Sequence, residues 1–146
     1  MNRYSIPFVV FTLSLAILLT SCTKPEVQII GLWSLESNER TFYEEGEISA
    51  TATYYYTGND DGLLWEFQED VMLVYEEKEM ELEESYTWNI LSDDVLVLTE
   101  EGSTESTLEI LKLTSKEMIV QEEDYTAGGS GITGYKSILY FVRVEE

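Results

Sequence analysis

From Ile29 to the C-terminus the chain alternates apolar and polar residues far more often than it repeats them at helical spacing, the signature of half-buried strands. The stretch ESYTWNIL (84–91) sets Tyr86, Trp88 and Ile90 on one face and Ser85, Thr87 and Asn89 on the other. SDD then turns the chain into VLVLTE (95–100), followed by STLEILKL (106–113), a turn at TSK, and EMIVQEE (117–123). A Gly-rich segment, 127–134, is expected as a loop before the last strand, KSILYFVRVE (136–145). EISATATYYYT (47–57) and LLWEF (63–67), joined by the turn residues GNDDG, are expected to form a hairpin with each other. VMLVYEEKEMELEE (71–84) holds good helix formers, but Met80 and Leu82 alternate with Glu79, Glu81 and Glu83, which favours a strand. The pattern predicts an all-β fold, an antiparallel up-and-down meander of about 8–9 strands. Closing the meander into a barrel removes the unpaired edges that a sandwich would keep.

The N-terminal segment breaks this pattern. Asn2 and Arg3 precede a nearly uninterrupted apolar run from Ile6 to Leu19, the layout of an export signal and shorter than the roughly 20 residues a membrane-spanning helix needs. Leu19, Thr20 and Ser21 lead into Cys22, the sole cysteine of the chain. This Leu-Thr-Ser-Cys sequence resembles the lipobox of bacterial lipoproteins. The resemblance implies a signal peptide over residues 1–21, and lipidation of Cys22 as the first mature residue. Its acyl chains, palmitate among them, hold the protein to the bilayer, since two chains suffice for stable attachment. Residues 22–28 then form the lipidated cysteine and a polar tether, and 29–146 the folded domain. By the same resemblance to bacterial lipoproteins, Thr23 in place of Asp and the absence of an acidic run after Cys22 imply an outer-membrane lipoprotein facing the periplasm.

Charge narrows the partners. The chain carries 29 acids against 8 Lys and Arg, a net charge of −21 that should repel nucleic acid phosphates. The acids are interleaved with Tyr, Trp, Leu and Val, and 44% of residues are hydrophobic, so a folded domain is expected rather than an acidic disordered tail. There is no histidine, which removes His-based triads and the commonest metal ligand, and the lone cysteine is taken by the anchor. No enzymatic activity and no cofactor are expected. NDDG (59–62) lacks the EF-hand spacing and reads as a turn, so no specific metal site is expected. GSGITG (129–134) matches a dinucleotide fingerprint in letters alone, because it lies between strands instead of between a strand and a helix.

GLW (31–33) opens the domain, and Arg143 lies in the last strand, within YFVRV. This looks like the lipocalin superfamily pattern, in which a G-x-W of the first strand meets an arginine from the end of the barrel. With YTWNILSDDVLVLTE and LEILKLTSKEMIVQEE, the whole of residues 30–146 resembles the small lipocalin-like lipoproteins of Bacteroidetes. The resemblance implies a lipocalin-like barrel and assigns Trp33 and Arg143 to its closure.

Alternation allows Tyr54, Tyr56, Trp65, Tyr86 and Trp88 to face inward together, as a wall for an apolar or aromatic-stacking ligand or as ordinary core. Two functions therefore stand side by side. In one, the barrel holds a small apolar ligand; in the other, a filled barrel presents its acidic exterior to an envelope protein.

Overall fold

The alternation is borne out as an all-β fold in the computed structural model, which describes residues 24–56, 62–103, 105–128 and 131–145. A one-turn helix α1 (Pro25–Ile29) precedes β1 (Gly31–Glu44), β2 (Glu47–Tyr55), β3 (Leu63–Phe67), β4 (Val71–Glu76) and β5 (Glu81–Ser92). After these come β6 (Val95–Glu100), β7 (Glu105–Leu113), β8 (Glu117–Gly128) and β9 (Gly131–Arg143). All pairings are antiparallel, β3 to β9 each bond to the next, and β9 returns to β1. Because β1 also pairs with β3, the result is a closed eight-stranded barrel with β2 as an extra strand.

The long strand β1 makes this possible by sharing one edge between two partners. Gly31–Ser34 face Phe67–Leu64 of β3, while Ser37–Glu44 face Tyr55–Glu47 of β2. The expected hairpin between 47–57 and 63–67 is therefore not formed; both segments lie end to end along β1. The hairpin is instead β1 to β2, through Glu45 and Gly46 with φ of 53° and 87°. Positive φ at both central positions is what a type I′ hairpin turn demands, and glycine adopts it at no steric cost.

Three further expectations are corrected. Residues 71–84 form two strands, with the chain turning at 77–80, where Met80 takes a φ of 52°. The expected Gly-rich loop is short: 127–128 belong to β8 and 131–134 to β9, with Gly128 opposite Gly131. Part of the expected tether is helical, and Ile29 at the end of α1 is fully buried. Cys22, the residues expected to form a signal peptide and most of the expected GNDDG turn lie outside the described residues.

The core fills the floor end. Trp33, Phe67, Phe141, Ile29, Met72, Leu96, Met118 and Val120 are its large buried side chains, each under 2% exposed. Rings meet edge-on or tilted, Trp65 on Phe141 at 4.5 Å and Phe67 on Trp88 at 5.5 Å. Beneath them α1 caps the barrel. The Trp33 indole N–H donates to the Ile29 carbonyl at 2.7 Å, and the Arg143 guanidinium lies 4.2 Å over the indole. Arg143 Nη1 and Nη2 donate to the carbonyls of Ile30 and Gln28 at 2.8 and 2.5 Å. Gly31, at φ 132°, leaves the room this arginine needs, since a Cβ there would run into its guanidinium.

Replacing Arg143 with alanine strips two charge-assisted hydrogen bonds and a cation–π contact from one partly buried corner. We expect unfolding free energy to fall by about 2–4 kcal/mol in urea titrations. Arg143→Lys should recover less than half of that, because an ammonium lacks the fork; full recovery would show that charge alone holds the floor.

Candidate functional site: the barrel cavity

Above the packed floor the interior opens into a cavity of about 200 Å³. Strands β3 and β4 give it Leu63, Trp65, Met72 and Val74, while β6, β7 and β9 give Leu98, Leu108 and Leu139. The polar part of the wall is Glu84 and Tyr86 from β5, Ser106 from β7 and Glu122 from β8. Strand geometry puts them there: on β5, Glu84, Tyr86, Trp88 and Ile90 share one face and descend from mouth to floor. On β8, Met118 and Val120 are fully buried, and Glu122 is the next residue on that side, opposite Leu108.

The two carboxyls have different neighbours. The Tyr86 hydroxyl donates to the Glu84 carboxylate. Burial, that hydrogen bond and the charges of Glu84, Glu100 and Glu122 raise the Tyr86 pKa well above the ordinary phenol range. Glu122 has its pKa raised chiefly by burial, with Asp124 adding to the effect and Arg40 opposing it. Arg40 is itself engaged: Nε donates to Ser137 Oγ at 3.0 Å, and the guanidinium lies 4.5 Å over the Tyr135 ring. Burial also raises the Tyr135 pKa, helped by Glu122. Asn38, opposite Leu139 in the sheet and 4% exposed, has an Oδ1 with no hydrogen-bond partner.

Of the five aromatic residues expected to line a cavity together, the structure brings Trp65 and Tyr86 to it. Trp88 faces inward one step lower, packed on Phe67, with its indole N–H donating to the Gln68 carbonyl at 2.8 Å. Tyr56 packs on the core without bordering the cavity. Tyr54 stands opposite Asn38 on β2 and is 46% exposed, because β2 extends past the ring instead of joining it. Trp33 and Arg143 stack at the floor, as described above. Glu84 and Glu122 did not stand out in the sequence, although each shares the inward parity of residues that did or that are buried.

Glu76, Glu79 and Glu81 bring carboxylate oxygens within 4.8 Å of one another at the β4–β5 turn. Glu79 and Glu81 face solvent, Glu76 is half-buried, and nothing else among the described residues of the turn points to an ion. GSGITG has no helix after it: residues 131–134 are strand, so the dinucleotide reading has no support in the fold.

The raised pKa of Glu122 has a definite sign for stability. A carboxyl that holds its proton more tightly when folded favours the folded state below its unfolded pKa, and that contribution is lost as pH rises through the folded value. Glu122→Gln should therefore melt higher than the parent protein at pH 7. The gap should shrink at pH 4, as the parent carboxyl takes up its proton. Scanning calorimetry at both pH values tests this, and a gap independent of pH would show that burial of the charge is not its cause.

No protein-family model matches the sequence, and no curated protein matches it.

Proposed function

We propose that this chain is a membrane-anchored lipoprotein whose lipocalin-like barrel binds a small, largely apolar ligand without chemically changing it. The observation that carries this reading is the cavity: about 200 Å³ of space whose wall is mostly Leu, Val, Met and Trp side chains. A dry cavity of about 150 Å³ takes benzene, so this one suits a single ring with a short side chain. The sealed floor supports the reading too, since Trp33, Phe67 and Phe141 are packed beneath while the space lies above. The export signal and the Leu-Thr-Ser-Cys sequence supply the anchor at Cys22.

A second reading, protein docking, is favoured by β2. Its residues Ile48–Tyr55 carry no charge in a chain of net charge −21, and among the described residues β2 is bonded to β1 alone. Uncharged edges invite added strands.

Native mass spectrometry of the protein purified from its own host separates the two. A small adduct released on denaturation, and lost in a Val74→Phe variant that fills the cavity, is the expected result. A bare mass together with a co-purifying protein would favour β2 docking. The anchor has its own test: Cys22→Ser should shift the protein from the membrane to the soluble fraction, and unchanged partitioning would defeat the lipoprotein assignment.

A further inference from the structure

The polar side of the cavity is acidic, and we propose that its ligand is a compact organic amine, an aryl- or alkylammonium. Its charged nitrogen would sit between Glu84 and Glu122, with its apolar body against Trp65, Met72 and Leu108. This rests on the reading of the barrel as a binding cavity and goes further by naming the chemical class.

The wall itself makes the first argument. Its polar residues are Glu84, Tyr86, Ser106 and Glu122, two carboxyls and two hydroxyls, with no Lys or Arg among them. A carboxylate or phosphate ligand would find no cation there and would add its charge to theirs. An ammonium offers what these groups lack, three N–H donors and a positive charge. The hydroxyl of Tyr86 is already turned to Glu84, so its proton is spent on that carboxylate and not available to a ligand's anion.

Compensation of Glu122 makes the second argument. Its burial disfavours the charge, and Asp124 works in the same direction. Arg40 opposes this only in part, being bound to Ser137 and stacked on Tyr135, and it does not border the cavity. A cation arriving in the cavity would complete the pairing that Arg40 leaves unfinished. Asn38 adds a buried acceptor without a donor on the same side of the sheet as Leu139, a cavity residue. What the wall lacks is positive charge.

Size and surroundings select an organic cation over a metal ion. Most of the wall is hydrocarbon, which a hydrated ion cannot use, and Glu84 and Glu122 belong to no group of three closely spaced metal-ligating residues among the described residues. Trp65 presents a ring to the cavity, where a cation or an aromatic ligand gains from its face. The field of the whole protein agrees, since a net charge of −21 draws cations toward the mouth and turns anions away.

The test is calorimetric titration of the purified protein with four probes that share a phenyl ring: 2-phenylethylamine, 2-phenylethanol, phenylacetate and toluene. The amine should bind at least about tenfold more tightly than the alcohol or the carboxylate. Glu122→Gln should weaken the amine by about tenfold and leave the alcohol unchanged, and Glu84→Gln should act in the same direction. Alcohol or toluene binding as tightly as the amine would overturn the amine assignment while leaving the binding barrel intact. Binding of none of the four would overturn both.

Discussion

The guanidinium of Arg143 is the group on which the rest of this barrel depends. It comes from the end of the last strand, covers the indole of the first, and takes up the carbonyls of Gln28 and Ile30. Those carbonyls lie at the end of a helix of one turn, too short to satisfy itself or to hold its place by propensity. One side chain thus joins both ends of the chain and makes α1 a lid for the floor. With no second cysteine to form a disulfide, the closure has to be noncovalent, and this corner is where the noncovalent interactions concentrate.

What the floor gains in packing, the upper interior gives up. The floor holds Trp, Phe, Met, Leu and Ile at nearly zero exposure, whereas one layer higher the barrel keeps open space, a half-buried carboxyl, and an amide oxygen without a donor. Each of these costs stability: a cavity forfeits dispersion contacts, and unpaired polar groups forfeit hydration. Local departures from an otherwise consistent fold are where function is usually found. Here they are contiguous in the sheet, running from Asn38 and Leu139 through Val120 to Glu122 and Leu108.

The sequence disclosed strands more readily than partners. Segments 84–91, 95–100, 106–113 and 117–123 alternate cleanly and are strands in the structure. The β1–β2 hairpin was hidden because Glu45 stands where a type I′ turn normally shows Asn or Asp, while GNDDG advertised a turn between segments that do not pair. Alternation also specifies a face and not a height. Trp88 points inward as its position implied, yet lies below the cavity, and Tyr54 has the right parity on a strand that overhangs the ring. The two cavity carboxyls were masked by number: among 29 acids, only their parity with Tyr86 and Val120 set Glu84 and Glu122 apart.

The mouth itself follows from how β1 divides its edge. Along Gly31–Ser34 the strand bonds to β3, which carries the ring on to β4; along Ser37–Glu44 it bonds to β2, which pairs with no other strand among the described residues. The barrel is therefore laced at the floor and unlaced above it. A β3 long enough to follow β1 to its end would complete the ring up to Glu44 and close off the space that Trp65 and Leu63 now border. Substituting one partner for another along a single strand gives a sealed floor and an open cavity from the same hydrogen-bonding rule. It also leaves Glu84 at the open end, where solvent reaches it, while Glu122 on β8 stays half-buried and bears the cost of its charge.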